Sequence, residues 1–442
     1  MTSDGKRGLR QLSLVMAAFL GGAVAARASE ATSERATPYA PLGQLARVLV
    51  QIENQYVDPV DRQRLLDGAI KGMVAELDPH SAYLSPREFA QFNEDTGGTF
   101  GGIGVEVDFR HDRVLVMAPI LGAPAARAGI QAGDEILAVD GRPLAGMVAE
   151  AIVRVMRGAA GTHVRVTLKR RADGEAITLD LVREHVRVRS VDGKRLAGNI
   201  GYVRLRQFQS GTHEELLETI AGLRSASSAP LEGVVLDLRN NPGGLVDEAE
   251  AVADEFLAGG TIYTTRHRGK VLDEARAHPG GALARVPIAV MVNEYSASAA
   301  ELLAGALQDS GRAQVIGGET FGKGSVQTIY ELPGSAGLRL TTMRYYTPNG
   351  RAIQARGIHP NVLIRYANDA AAKVPFVREG DLDGALASES LGPPLPPASE
   401  VVSATSRPEF LTLDDVAADP TTGSDTALQV AHRTVLQAVA GH

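Results

Sequence analysis

Two stretches of the chain place a hydroxyl and an amine where they could act as nucleophile and base. In Val292-Asn293-Glu294-Tyr295-Ser296-Ala297-Ser298-Ala299-Ala300-Glu301-Leu302-Leu303 an apolar run ends in small residues, and a helical pattern then begins. A serine hydroxyl at such a turn lies near unpaired helical N–H groups, which can hold a developing oxyanion. The same residues fit a helix cap. Ser298-Ala-Ala-Glu301 has the capping-box spacing, and Ser296 is a second candidate N-cap. Taken alone, the stretch leaves both uses open.

In Gly317-Gly318-Glu319-Thr320-Phe321-Gly322-Lys323-Gly324-Ser325-Val326-Gln327, a lysine stands between two glycines at the start of a β-like run, in a chain with only seven lysines. Glycine on both sides lets the backbone turn tightly and lets another group approach the amine. With a strand over Ser325 to Leu332, Lys323 and Gln327 face the same side, and Gln327 can accept a hydrogen bond from the amine and orient it. A solvated turn lysine is the other reading. As a base the lysine must be neutral, and its ordinary pKa of about 10.4 leaves roughly one molecule in a few thousand neutral at pH 7. Lowering that value to about 7 or 8 costs on the order of 3–5 kcal/mol, which an apolar wall supplies by desolvation. Phe321, Val326 and Tyr345 are candidates for the wall, and the expectation is a strongly depressed Lys323 pKa.

Histidine is the commoner partner of a serine nucleophile. None of the ten histidines lies between His278 and His359; those two stand beside prolines, and His80 lies far upstream. A Ser–Lys dyad therefore needs fewer assumptions. A third stretch, Gly233-Val-Val-Leu-Asp237-Leu-Arg239-Asn240-Asn241-Pro242-Gly243-Gly244, runs from a buried-type strand into a glycine-rich turn. Its backbone N–H groups suit an oxyanion, whereas no Gly-Lys-Ser/Thr follows to make a phosphate loop. A plain strand-to-helix turn fits the same residues. Asp309, eleven residues after Ser298, reads as structural at a helix end. No metal or organic cofactor is called for, since no histidine and carboxylate cluster has ligand spacing.

These residues need elements to hold them. From Pro41 to about Glu94 apolar positions recur at helical spacing, with Asp58-Pro59 and Asp78-Pro79 as boundaries. From Thr99 to about Glu184 short β-rich runs, among them Val105–Val107, Val114–Met117, Glu135–Val139 and Val164–Leu168, surround one helical run, Met147–Met156. From about Asn199 strands at Gly233–Leu238 and Ile288–Asn293 alternate with helices at Val246–Leu257 and Ala299–Leu307, the pattern of an α/β layer domain. After about Ala367 the apolar periodicity is lost, Leu391–Pro397 is proline-rich, and Leu411–Ala440 offers one or two helices. The expected divisions are 1–28, 39–98, 99–185, 186–366 and 367–442.

The 442 residues call for two or three domains, and 44% apolar with 22% charged residues is ordinary for a globular chain. A net charge of −7 gives no basic field, so nucleic acid is not an expected partner. Lys6, Arg7 and Arg10 precede the apolar run Leu12–Ala26 and Ala26-Arg27-Ala28, a secretory signal pattern with cleavage after Ala28; an uncleaved anchor is the alternative. There is no cysteine, so no disulfide and no thiol nucleophile.

Taken together, these stretches resemble the C-terminal processing (tail-specific) peptidases. The resemblance runs from about Tyr39 to Leu363 and includes Asp78-Pro79-His80-Ser81, Phe100-Gly-Gly-Ile-Gly-Val105, Asp237–Gly244, Ser296–Glu301, Gly318–Gln327, Tyr346-Thr-Pro-Asn-Gly-Arg351 and Gly357-Ile-His-Pro360. It implies a multidomain α+β chain: a helical N-terminal region, a PDZ domain at 99–185 and an α/β protease core of the ClpP/crotonase-like kind. It also implies Ser298 as nucleophile, the 25-residue spacing to Lys323 selecting it over Ser296. Lys323 is then the base, Gln327 its orienter, and the backbones of Ala299 and of Gly244 or Gly243 the oxyanion donors. Gly101-Gly102-Ile103-Gly104 would receive a substrate's terminal carboxylate, and Arg157 would signal occupancy to the core. Expected substrates are periplasmic proteins with apolar C-termini; an adaptor or activator protein and a homo-oligomer stay open. A noncatalytic PDZ scaffold is the alternative function, and an acyl-CoA enzyme a more distant one.

Overall fold

A computed structural model of the chain describes residues 39–110, 113–366, 376–389, 392–393, 396–406, 408, 413 and 415–441. The expected signal segment, residues 1–28, and part of the proline-rich break lie outside the described residues. The chain divides into two units, 1–73 and 74–442. The first contains α1 (Ala40–Gln55), with Pro41 in its first turn where a missing N–H costs nothing, and most of α2 (Arg62–Ala75). Among the described residues no helix is long and apolar enough to cross a membrane.

The second unit opens with β1 (Ala82–Leu84) and α3 (Pro86–Thr96), whose Ser85 and Glu88 form a capping box. A β-rich module follows. β2 (Thr99–Gly102) pairs with β9 (Glu184–Arg187) and closes its base. Between them β3 (Val105–Arg110), β4 (Arg113–Pro119), β5 (Glu135–Val139), β6 (Arg142–Pro143), β7 (His163–Lys169) and β8 (Ala176–Val182) form an antiparallel sheet, ordered β3-β4-β5-β7-β8 with β6 beside β5. Helices α4 (Pro124–Arg127) and α5 (Ala149–Met156) complete the module. Alternation puts Val164, Val166 and Leu168 of β7 inward with Ile136 and Val139, a core separate from the rest. At the end of the order, β3 has one neighbouring strand.

The core is a seven-stranded sheet in the order β10-β11-β12-β15-β16-β19-β20. It comprises β10 (Val191–Leu196), β11 (Ile200–Leu205), β12 (Gly233–Asp237), β15 (Ile288–Val292), β16 (Gln314–Gly317), β19 (Val362–Tyr366) and β20 (Ser399–Ser403). Every neighbouring pair is parallel except β10 with β11. All five residues of β12 and of β15 are buried, as strands covered on both faces must be. Val234, Leu236, Val290 and Val292 face α6 (Thr212–Ser225), α7 (Val246–Phe256) and α8 (Ala299–Asp309). Val235, Ala289 and Met291 face the other way, onto α9 (Thr426–Ala440). A second sheet, β1-β18-β13-β14 with β17 on β18, is built from β13 (Gly260–His267), β14 (Lys270–Ala277), β17 (Ser325–Leu332) and β18 (Ala336–Tyr346) besides β1.

The structure places the C-terminal segment differently from the sequence reading. β20 extends the main sheet and α9 covers its second face, so residues beyond 367 complete the core. Ala82–Leu84, within the region expected to be helical, is a strand on β18. Asp425 caps α9 by accepting the Leu428 N–H at 3.1 Å, and its carboxylate also pairs with buried Arg239 at 2.9 Å. Loss of a cap and of a charged partner together costs about 2–4 kcal/mol. Asp425→Ala is expected to lower unfolding free energy by that amount, read from the urea midpoint at unchanged m-value.

Candidate active site

Three adjacent parallel strands, β12, β15 and β16, end on one edge of the main sheet, and each passes into one of the motif stretches. At the end of β12, Asp237 is buried and accepts from the Tyr202 hydroxyl at 2.7 Å and from Arg239 Nη2 at 2.7 Å. Burial works to raise its pKa, but the Arg239 charge and these donors win and hold the carboxyl below its ordinary value. This pair anchors the glycine turn. Gly243 and Gly244 have φ of 99° and 136°, a region open to glycine. A Cβ on Gly243 would stand 2.8 Å from Ser298 Cβ and 2.9 Å from the Ala299 nitrogen, so the turn lies directly against the serine.

The N–H of Gly243 donates to Asn241 Oδ1 at 2.9 Å, whereas those of Gly244 and Ala299 carry no hydrogen bond among the described residues. Of the two glycines, Gly244 is thus the one with a donor to give. Asn241 was not singled out from sequence; its other end donates to Leu205 O at 2.9 Å.

Beyond β15, Ser296 and Ser298 part company. The buried Ser296 hydroxyl donates to Leu238 O at 2.8 Å and accepts from the Asn293 N–H at 3.0 Å, which commits it to holding the turn. Ser298 is half-buried at the N-cap of α8, with φ 55° and ψ −116°, a conformation a non-glycine residue adopts only when its surroundings impose it. The constraint is Glu301. Its buried carboxylate accepts the N–H of Ser298 at 2.8 Å, of Gly322 at 2.6 Å and of Lys323 at 2.8 Å, and the Thr320 hydroxyl at 2.5 Å. Burial pushes its pKa up to about 7 against the pull of those four donors. The capping-box spacing was visible in the sequence, but its extension to the lysine turn was not.

Beyond β16, Lys323 is half-buried, and its amine has no hydrogen bond or ion pair among the described residues. Burial lowers its pKa first and the nearby Arg339 charge lowers it further, while Glu379, Glu301 and Asp78 pull the other way. Val326 and Tyr345 of the expected wall are buried, and Phe321 is half-buried. The Gln327 amide nitrogen donates to Ser325 Oγ at 3.0 Å and to Thr341 Oγ1 at 3.2 Å, and among the described residues its carbonyl oxygen accepts no hydrogen bond from the Lys323 amine. Gln327 and Ser325 share a face of β17, but Lys323 lies in the turn before the strand begins at Ser325, after Gly322 at φ 100°, where strand alternation does not carry over. Asp309 pairs with Arg351 and accepts the Asn349 N–H, a structural role. Among the histidines considered as bases, His80 bonds Glu379, His278 bonds Asp254 and His359 bonds Glu319.

In the β-rich module Gly101 O accepts the Gly158 N–H at 3.0 Å, so the glycine loop is joined to the residue after Arg157. Ile103 is buried, and its carbonyl and that of Gly104 accept from Ala125 and Ile120. Arg157 pairs with Asp95 at 2.7 Å and lies 4.6 Å over the Phe100 ring, linking the module to α3.

Known proteins resemble this chain over most of its length. Residues 199–364 match peptidase family S41, 115–170 a PDZ domain, and 20–87 the N-terminal domain of the activating protease CtpB. A carboxy-terminal-processing protease of Bartonella bacilliformis is 42% identical over 336 residues, covering 75% of this chain and 77% of the relative. The chain belongs to the carboxy-terminal-processing serine proteases. A probable CtpA-like serine protease of Staphylococcus aureus is 37% identical over 74% of this chain and 66% of its own length. Among solved structures, a photosystem II D1 C-terminal processing protease is 33% identical with a TM-score of 0.45, covering 71% of this chain and 85% of that one. The protease is thus a PDZ domain joined to an S41 core, as the resemblance implied.

Glu301→Gln tests the shared anchor. The amide puts an NH2 group where N–H donors converge, so stability is expected to fall by about 2–4 kcal/mol. Displacement of the two turns is expected to lower kcat by about 100-fold or more, read by single-turnover cleavage.

Proposed function

We propose that the protease cleaves exported proteins bearing apolar C-termini, with Ser298 as nucleophile and Lys323 as general base. The observation that carries this reading is the Glu301 tether, which fixes the serine and lysine turns to one carboxylate beside the glycine turn. Ser298 attacks the scissile carbonyl and Lys323 takes its proton. The oxyanion is received by the N–H groups of Ala299 and Gly244. The lysine returns the proton to the leaving amine, and a water it then activates hydrolyses the acyl-enzyme. Gln327, on β17, orients the amine through its carbonyl oxygen once substrate orders the site. Burial of the amine supports the base role, because neutral lysine is what the chemistry needs.

The PDZ domain recognises the substrate's end. Edge strand β3 accepts the peptide as an added strand, and the loop Gly101–Gly104 takes its carboxylate. The Gly158–Gly101 bond and the Arg157–Asp95 pair support a signalling role for Arg157, since they run from that loop to α3. The signal pattern in the first 28 residues supports export to the periplasm. Exposed Leu42, Leu45 and Val48 on α1 support a second copy of the chain, or an activator protein, as partner.

Ser298→Ala and Lys323→Ala are each expected to abolish cleavage of a fluorogenic substrate with an apolar tail while leaving its affinity unchanged in anisotropy titrations. Binding without cleavage by the wild type would favour the scaffold. Arg157→Ala is expected to reduce the acceleration of cleavage given by an added apolar C-terminal peptide; unchanged acceleration removes Arg157 from the coupling.

A further inference from the structure

Residues 376–389 run back across the turns that carry the chemistry. The Phe376 ring packs edge-on against Tyr295 at 4.8 Å and Phe321 at 6.4 Å, touching the segments that precede Ser298 and Lys323. Arg378 donates to Thr320 O at 2.8 Å and to Arg356 O at 3.0 Å, and it pairs with Glu319 at 2.7 Å. The Glu379 N–H donates to Phe321 O at 3.1 Å. Its carboxylate is 1% exposed and lies 2.8 Å from His80 Nε2 and 2.8 Å from Gln354 Nε2. Gln354 is itself fully buried, and its Oε1 accepts the Gly324 N–H at 3.0 Å.

Three successive backbone N–H groups around the lysine therefore end on buried side chains. Those of Gly322 and Lys323 reach Glu301, and that of Gly324 reaches Gln354, whose far end is Glu379. A carboxylate this deeply buried is costly to keep, and the reaction as drawn has no use for it. We propose that Glu379 is a positioning residue for the general base: through Gln354 and beside His80 it holds the Lys323 turn, which makes the 376–389 strap part of the active centre. The proposal rests on reading Lys323 as the base.

The charges around the amine fix the sign of the test. Arg339 favours the neutral lysine, whereas Glu379, Glu301 and Asp78 favour the ammonium; His80 faces Glu379 directly. Glu379→Gln removes one of these carboxylates and keeps a side chain of the same size. The Lys323 amine then loses its proton at lower pH, and the acidic limb of kcat/KM moves down.

The experiment uses the full chain and a fluorogenic peptide with an apolar tail, with kcat/KM measured across pH and folding checked by thermal melting. Glu379→Gln is expected to shift the acidic limb down by about half a pH unit or more. Gln354→Met is expected to lower kcat by about tenfold with KM within about twofold, the pattern of a misplaced base. A folded Glu379→Gln enzyme with an unmoved limb overturns the proposal, even if its melting temperature falls. Should that variant not fold, wild-type kcat in Gln354→Met overturns it. Cleavage retained by Ser298→Ala or Lys323→Ala sinks the base reading and the proposal with it, whereas loss of cleavage in both alongside an unmoved limb sinks the proposal alone.

Discussion

A single buried carboxylate ties the Ser298 turn to the lysine turn. Glu301 gathers N–H groups from Ser298, Gly322 and Lys323 and the hydroxyl of Thr320, so turns that follow different strands are tied by side-chain chemistry. A carboxylate has about four acceptor positions, and here each one is used. The left-handed backbone of Ser298 is a cost of about 1–3 kcal/mol that this saturation offsets. The other cross-ties add to the same end. Asn240 and Asn293 exchange hydrogen bonds at 2.9 and 2.8 Å, and Ala297 donates to Asn241 O, fastening the glycine turn to the serine turn. With its donors already oriented, such a site has little to reorganise when charge develops.

Much of this was legible in the sequence, for identifiable reasons. Unbroken apolar runs marked β12 and β15, and the glycines and small residues beyond them marked the turns, because few residue types tolerate those conformations. Ser298 could be read as nucleophile or as helix cap, and the structure shows it at the N-cap of α8 with its N–H received by Glu301. Gln327 is placed by counting along a strand, and the strand begins only at Ser325, so the count does not extend to Lys323 in the turn before it. The contributions of Gln354 and Glu379 left no local signal, because each acts across tens of residues of intervening chain.

The C-terminal segment was the largest difference. Its periodicity is broken by proline and by short loops, so neither β20 nor α9 stands out as part of a domain. The pointer lay elsewhere: strands as uniformly apolar as Gly233–Asp237 and Ile288–Val292 need cover on both faces. Helices α6, α7 and α8 pack on one face, and α9 from the C-terminal segment covers the other.

That arrangement sets how much of the chain each module draws on. The guanidinium of Arg239, which holds the glycine turn through Asp237, finds its second carboxylate in Asp425, 186 residues further along. The PDZ domain closes on a core of its own between residues 103 and 181, whereas the glycine turn beside Ser298 draws support from residue 425. Cover for the core sheet and support for the glycine turn thus come from the same distant segment.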